Sequence, residues 1–229
     1  MTDSCHIWFV ILFLEVIIMK YSWRIQEKQL YLPKNKPELI HVPKTKYLCI
    51  KGKGNPNDED FSNRIAVLYK LSYTIKMLPR KDFIPKGYYE YTVYPLEGLW
   101  NISKQAKESF NKDDLFYTIM IKQPDFVNEE VFLKAYQIVK NKVAKQLLDE
   151  VYLDDIEAGL AVQMLHIGSY DNEKESFKKM QTFISNNGLK RKTSAHREIY
   201  LSNAKKVQKD QLKTVLRYMV ERNEENNHG

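Results

Sequence analysis

The chain has few of the residues that build metal sites and disulfide frameworks. Of its 229 residues only two are cysteines and five are histidines. Cys5 and Cys49 show no zinc-ligand spacing and provide no disulfide framework, which favours a reducing, cytoplasmic location. The sequence also has no nucleophile elbow and no nucleotide loop. We therefore expect neither a metal nor a cofactor.

Long apolar and long basic runs are also absent. Residues 7–19 are apolar apart from Glu15, but they are too few to span a bilayer comfortably, so no membrane segment is expected. The formal charge is +7, yet lysine and glutamate are interleaved along the chain. This pattern is typical of a solvated surface, and direct nucleic-acid binding is not expected.

Residues 1–18 fit no targeting class, because no Lys or Arg precedes the apolar run as in a signal peptide. Two interpretations remain open: a leader, or a mis-assigned start with Met19 as the true first residue. Leu14-Glu15-Val16 can be encoded by a string containing GGAGG, a ribosome-binding sequence, just ahead of Met19. The intact mass of the protein from its native host would distinguish the two.

Prolines and hydrophobic periodicity divide the rest of the chain into elements. Residues 21–46 carry three prolines and predict an extended arm. Strands are predicted at 47–51, 88–93, 116–121, 159–165, 196–201 and 214–220, with 96–100 as a tight loop. Helices are predicted at 58–77, at 128–148 and from 171 to a C-cap at Asn187-Gly188. Residues 221–229 are predicted to be a disordered tail.

The predicted elements repeat. Residues 47–122 and 159–220 both follow the order strand, helix, strand, strand, and helix 128–148 is inserted between them. Glu90 and Glu198 occupy matching places in the two units. We therefore expect an α+β fold of duplicated strand–helix–strand–strand units with pseudo-twofold symmetry, antiparallel sheets with helices packed on one side, and a central ligand cleft.

The strand around Glu198 carries the most distinctive polar pattern. His196, Glu198 and Tyr200 alternate with Ile199 and Leu201, so one face is apolar and the other presents a carboxylate between an imidazole and a phenol. By pattern alone an exposed strand glutamate is favoured, because glutamate is rarely buried. The alternative is a polar anchor facing a ligand cleft.

Several segments, in their order along residues 19–220, resemble the GyrI-like small-molecule-binding domain family. They are Gly87-Tyr-Tyr-Glu-Tyr91, Pro95-Leu-Glu-Gly-Leu-Trp100, Ile121-Lys-Gln-Pro-Asp-Phe126, Met164-Leu-His-Ile-Gly-Ser-Tyr170, His196-Arg-Glu-Ile-Tyr-Leu-Ser202 and Leu212-Lys-Thr-Val-Leu-Arg217. Relatives include the gyrase inhibitory protein and the effector-binding domains of multidrug-responsive regulators. Some stand-alone members are hydrolases that open the cyclopropane ring of DNA-alkylating cyclopropanoid natural products.

The resemblance implies an aromatic cleft for flat apolar or cationic ligands, with Glu198 as the buried carboxylate. It implies catalytic roles for Glu198, which would orient or deprotonate water, and for Trp100, which would hold the aromatic body. Ligand-binding roles are predicted for Tyr88, Glu90, Tyr170, Tyr200 and His166. For Trp100 the alternative is a core plug, and for His166 a hydrogen bond within its turn. For Glu90 the alternative is a structural carboxylate.

The resemblance leaves the choice of function open. Hydrolysis of cyclopropanoid genotoxins would make the protein a detoxifying enzyme. The alternatives are a non-catalytic ligand sensor or sequestering protein, and a protein-interaction module of the gyrase-inhibitor type with an unidentified partner.

Overall fold

The computed structural model describes residues 20–102, 112–156 and 159–223. The predicted leader and residues 224–229 of the predicted tail lie outside the described residues. Within the three described ranges, no helix is long and apolar enough to cross a membrane.

The N-terminal segment is more structured than the sequence predicts. It contains α1 (Trp23–Gln26), α2 (Lys28–Tyr31), β1 (Glu38–Val42) and β2 (Thr45–Lys53). The prediction of an extended arm is wrong for the two short helices, whereas β1 is extended and pairs with the sheet. Trp23 and Tyr31 are both buried, so tertiary packing stabilises helices too short to form alone. The three prolines all follow α2 and leave it undisturbed.

The next segment has the predicted helix and the predicted strand near residue 116, but its other strand lies at 96–102 and not at 88–93. It contains α3 (Glu59–Lys76), β3 (Leu96–Ile102) and β4 (Leu115–Lys122). Residues 88–93, predicted as a strand, contribute only an isolated bridge between Tyr21 and Tyr91, and the predicted loop 96–100 lies in β3. Here tertiary packing overrides local propensity, because Tyr89 and Tyr91 pack their rings on Phe126 instead of pairing in a sheet.

The predicted helix 128–148 is two helices. The segment contains α4 (Glu129–Val139), α5 (Lys145–Asp149) and β5 (Tyr152–Ile156). Residues 140–144 between the helices have no buried side chain that could hold a continuous helix against the core. The acidic pair Asp154-Asp155 hides β5 from a hydrophobicity-based prediction.

The C-terminal segment follows the prediction closely. It contains β6 (Gly159–Ile167), α6 (Glu173–Asn186), β7 (Leu189–Arg191), β8 (His196–Tyr200) and β9 (Lys213–Arg222). Gly188 ends α6 with φ 62°, as its predicted capping role requires. Strand β9 includes Glu221 and Arg222, so the predicted tail begins too early.

The described strands form one antiparallel sheet, which confirms the α+β class. Its order is β1-β6-β9-β8-β3-β4-β2-β5, and β7 pairs with the end of β9. The two predicted units contribute β2-β4-β3 and β6-β9-β8, and they meet where β3 pairs with β8. The duplication itself remains a prediction.

One row of directly paired residues crosses six strands on a single face of the sheet. It consists of Met164, Leu216, Glu198, Gly98, Ile119 and Ile50. Helix α6 packs over the Met164 end and α3 over the Ile50 end. Both long helices therefore cover the same face, and Glu198 and Gly98 lie in the middle of the row. The short helix α2 approaches the opposite face, where the Tyr31 hydroxyl donates to Glu97.

Candidate ligand-binding site

Glu198 is buried on the helix-covered face and fully engaged in hydrogen bonds. Only 9% of the residue is exposed. The His196 Nε2 donates to Oε1 at 2.9 Å, and the Tyr200 hydroxyl donates to Oε2 at 2.7 Å. All three side chains project to one face because they alternate along β8, as predicted. The carboxylate therefore lies inside the protein with a fixed orientation.

Trp100 extends this arrangement. Its indole Nε1 donates to the Tyr200 hydroxyl at 2.8 Å, so Trp100, Tyr200 and Glu198 form a continuous hydrogen-bonded chain. Gly98 provides the space, since a Cβ there would stand 2.5 Å from Nε1 of Trp100 and 3.1 Å from the Tyr200 hydroxyl. Burial and the neighbouring Glu198 raise the pKa of Tyr200 well above its usual range, which keeps its phenol a donor.

Aromatic rings surround the carboxylate. Trp100 packs against Phe61 and Tyr117, with ring centroids 5.7 Å and 5.2 Å away. Tyr170 stands edge-on to Tyr200 at 6.0 Å. Phe177 meets the His196 ring edge-on at 4.9 Å. We call Trp100, Tyr170, Glu173, Phe177, His196, Glu198 and Tyr200 the Glu198 cluster.

Glu173 is the member of this cluster that the sequence does not reveal. It lies in the first turn of α6, where an acidic residue usually complements the helix dipole from the surface. Here only 6% of it is exposed, and its carboxyl group faces the same site as Glu198, since Phe177 one turn later contacts the His196 ring. Burial, and then the charge of Glu198, raise the pKa of Glu173 to about 9. Its burial depends on the packing of α6 against the sheet, and no local sequence signal marks it.

Two predicted site residues, Tyr88 and Glu90, make contacts elsewhere. The Tyr88 hydroxyl donates to the Lys76 carbonyl, and its ring packs on Phe126. Glu90 pairs with Lys20 at 3.8 Å, and 54% of its side chain is exposed. Neither has a hydrogen bond or ring contact to the Glu198 cluster in the described parts of the chain. Because residues 88–93 are not a strand, Glu90 is not the counterpart of Glu198 in the sheet.

His166 is held within its turn. Its Nε2 lies 3.0 Å from the Ser169 carbonyl oxygen and its Nδ1 lies 2.9 Å from the Ser176 hydroxyl. A carbonyl oxygen only accepts, so Nε2 carries the proton and Nδ1 accepts from the serine. This is the structural alternative for His166. Its ligand-binding role, like those of Tyr88 and Glu90, stays a prediction.

A second buried polar cluster lies on the opposite face of the same strands. Glu97 is 0% exposed and accepts from Tyr31, Tyr47 and Arg197 at 3.2–3.5 Å. Arg217 donates to the Leu30 carbonyl at 2.6 Å, which attaches α2 to the sheet. The alternation within β8 therefore gives Arg197 to this face and Glu198 to the other.

A cavity of about 200 Å³ lies apart from the Glu198 cluster. Glu27 lies in its wall and accepts from Tyr21 at 2.9 Å and from Lys122 at 2.5 Å. The lining residues are Tyr21, Glu27, Leu30, Pro43, Tyr89, Tyr94, Lys122, Gln123, Pro124 and Asp125. None of the predicted site residues lines it. In the described ranges no group of three or more His, Cys, Asp or Glu could hold a metal ion.

A buried, hydrogen-bonded carboxylate among aromatic rings combines the apolar surroundings and the fixed polar group that small-molecule sites use. Comparison with family models agrees, because residues 35–220 match the GyrI-like small molecule binding domain. The chain belongs to the GyrI-like family. A search of the curated proteins finds no match.

Solved structures show the same fold. The chain is similar to a hydrolase from Listeria innocua, at 33% identity over 88% of this chain and 100% of that chain, with a TM-score of 0.81. An uncharacterized conserved protein from Listeria innocua is similar at 34% identity over the same shares, also with a TM-score of 0.81. The C-terminal domain of EcmrR shares the fold, with 17% identity, coverage of 84% and 99%, and a TM-score of 0.50.

Proposed function

We propose that this protein binds flat, largely apolar or cationic small molecules at the Glu198 cluster. The observation that carries this proposal is the Glu198 carboxylate itself, which is buried yet held at both oxygens by donors from its own strand. Burying a carboxylate costs free energy unless it is partnered, so a buried carboxylate among apolar groups is a common mark of a functional site.

The surroundings favour this class of ligand. Indole and phenol rings offer flat contact area, and their electron-rich faces attract cations. Tyr170 supplies such a surface beside Glu198, the Phe177 ring adds apolar contact area, and Trp100, only 5% exposed, supports the site from the core. A flat guest would lie against the rings, and a positive charge on it would approach Glu198. Tyr170, the most exposed member, would meet the ligand first.

A direct test is calorimetric titration with tetraphenylphosphonium as a cationic aromatic probe. We expect Glu198→Gln to weaken binding by about ten- to a hundredfold, which corresponds to a loss of about 1.4–2.8 kcal/mol of charge–charge attraction. Glu175→Gln is the matched control, since Glu175 lies in the same first turn of α6 as Glu173 but is exposed. Equal affinity of wild type and Glu198→Gln would contradict the assigned role.

A second function, hydrolysis of cyclopropanoid genotoxins, is supported by the fixed geometry of the Trp100–Tyr200–Glu198 chain and by the similarity to a hydrolase. Water would attack a ring carbon while Glu198 takes its proton. The strained C–C bond would break, and its electrons would pass to the conjugated oxygen, which would then be protonated. Trp100 would hold the aromatic body of the substrate. The products contain one added water and require no oxidant or reductant.

Mass spectrometry after incubation with a cyclopropanoid distinguishes the two functions. A product heavier by one water, formed by the wild type and by Glu175→Gln but not by Glu198→Gln, would establish turnover. Binding without product would favour a sensor or sequestering protein. A pull-down that captures gyrase, together with no binding of tetraphenylphosphonium or of the cyclopropanoid, would favour the protein-interaction alternative.

A further inference from the structure

Glu173 and Glu198 bring two buried carboxyl groups into one site that offers few compensating charges. Glu173 comes from α6 and Glu198 from β8. The two elements meet here, because Phe177, one turn after Glu173, lies edge-on to the His196 ring at 4.9 Å, and Tyr170 lies edge-on to Tyr200 at 6.0 Å. Both residues are more than nine-tenths buried. The Oε1 atom of Glu173 is buried and has no hydrogen-bond partner.

The groups around this pair come from several elements. Within the described ranges, no Lys or Arg forms an ion pair with either carboxyl group, and His196 is the single basic side chain bonded to Glu198. The other titratable or charged groups that face the pair are Tyr200 on β8, Tyr170 and Asp171 in the turn before α6, and Tyr218 on β9, which Arg191 of β7 covers at 3.7 Å. The Asp171 side chain is 80% exposed and pairs with Lys112 at 3.9 Å, so it adds little charge to the site. Burial and the proximity of the two carboxyl groups to each other therefore disfavour their simultaneous ionisation.

We propose that Glu173 and Glu198 hold one proton between them in the free protein, and that a cationic ligand expels this proton to solvent when it binds. The second half of this inference rests on the proposed ligand-binding function. It assigns Glu173 as a residue that determines specificity, in addition to Glu198.

The charges balance in this exchange. The free pair carries one proton and one negative charge. A monovalent cation that replaces the proton faces two carboxylates and leaves the same net charge in the site. A neutral ligand leaves the proton in place. The site would thus accept both classes of guest without any increase in its buried net charge.

The first measurement needs no ligand. Infrared spectra of wild type and Glu173→Gln at pH 7 should differ by a protonated carboxyl stretch that the wild type shows and the variant lacks. Glu175→Gln, which changes an exposed carboxylate in the same turn, should keep the band. Circular dichroism and thermal melts establish that the isosteric variants fold. Absence of the band in the wild type would overturn the shared proton.

The second measurement follows proton release during titration with tetraphenylphosphonium and, as a neutral aromatic match, triphenylphosphine oxide. Enthalpies in two buffers of different ionisation heat should give about one proton released per phosphonium and about none per oxide. As pH rises from 6 to 8, the apparent Kd for the phosphonium should fall by about tenfold per pH unit, because binding that releases one proton is favoured at higher pH.

Glu173→Gln tests whether the released proton belongs to the carboxyl pair. The variant should still bind the phosphonium but with less than about a twofold change in Kd over the same pH range. An unchanged slope in Glu173→Gln, or no release in the wild type, would overturn proton expulsion. If the wild type binds neither probe, the proposed function and the expulsion step fail together, and the infrared band decides the shared proton independently.

Discussion

Gly98 lies directly opposite Glu198 in the antiparallel pairing of β3 and β8. The residue without a side chain thus faces the residue whose carboxylate anchors the site. The space that Gly98 leaves is taken by the Trp100 indole, 2.5 Å from where a Cβ would stand. A glycine inside a strand commonly marks such a close approach.

We expect Gly98→Ala to displace Trp100 and break its hydrogen bond to Tyr200. The added methyl group has rigid neighbours, since Trp100 also packs against Phe61 and Tyr117. Overpacking of this kind costs about 1–3 kcal/mol. Urea denaturation measures the change in the free energy of unfolding. An unchanged midpoint together with unchanged phosphonium affinity would show that the site tolerates the methyl group.

Tyr200→Phe should destabilise the protein while keeping the ring in place. The substitution removes the donor to Glu198 and leaves the Trp100 N–H without its acceptor. A buried polar group left unpaired costs about 1–3 kcal/mol. Tyr73→Phe is a suitable control, because Tyr73 is 53% exposed and its hydroxyl can bond to water. Equal losses in the two variants on denaturation would argue against the hydrogen-bonded chain.

Stability should fall as pH rises, through the titration of Glu173. Its folded-state pKa, raised from 4.5 to about 9, means that the folded protein holds a proton that the unfolded chain releases between these values. This contribution to the free energy of unfolding is fully present below the unfolded pKa of 4.5 and is lost as pH rises to the folded pKa of about 9. Between pH 5 and 9 the wild type should lose on the order of a few kcal/mol relative to Glu173→Gln. Parallel pH profiles from denaturant melts would contradict the raised pKa.

The opposite face of β8 offers a test of structure alone. Arg197→Met removes the cation that bonds to Glu97. The buried Glu97 carboxylate then keeps only Tyr31 and Tyr47 of the three donors described for it. Removing one partner of a buried ion pair costs about 3–5 kcal/mol. Lys190→Met, in the exposed pair with Glu221 at 3.4 Å, should cost less than about 1 kcal/mol. Similar unfolding midpoints for the two variants would show that the Glu97 cluster contributes little.

The sequence predicts the regular elements well where periodicity is strong. The predicted helix 58–77, the predicted strand 159–165 and the alternation in β8 are all confirmed at nearly their predicted bounds, as α3, β6 and β8. The prediction is wrong for β3, because Pro95 and Gly98 resemble turn residues, whereas in the fold Gly98 makes room for a ring from its own strand. The tyrosine-rich segment 88–93 has strand propensity but packs as an irregular aromatic cluster.

The candidate site is only partly visible from the sequence. Glu198, Trp100 and Tyr200 are predicted and come together in the structure. Glu173 is missed because its neighbours in space are distant in sequence, and the first turn of a helix is an ordinary place for an exposed acid. Arg197 is missed for the same reason, since its partner Glu97 is 100 residues away.

The neighbours Arg197 and Glu198 also bear on how far β8 can shift. A slip of this strand by one residue would turn the guanidinium in among the aromatic rings and the carboxylate under α2. Both charges would then be buried without their partners, which costs free energy. Arg197 and Glu198 together therefore fix the register of β8. Insertions and deletions should therefore be tolerated far better in the loop 201–212 after β8 than in the short connection 192–195 between β7 and β8.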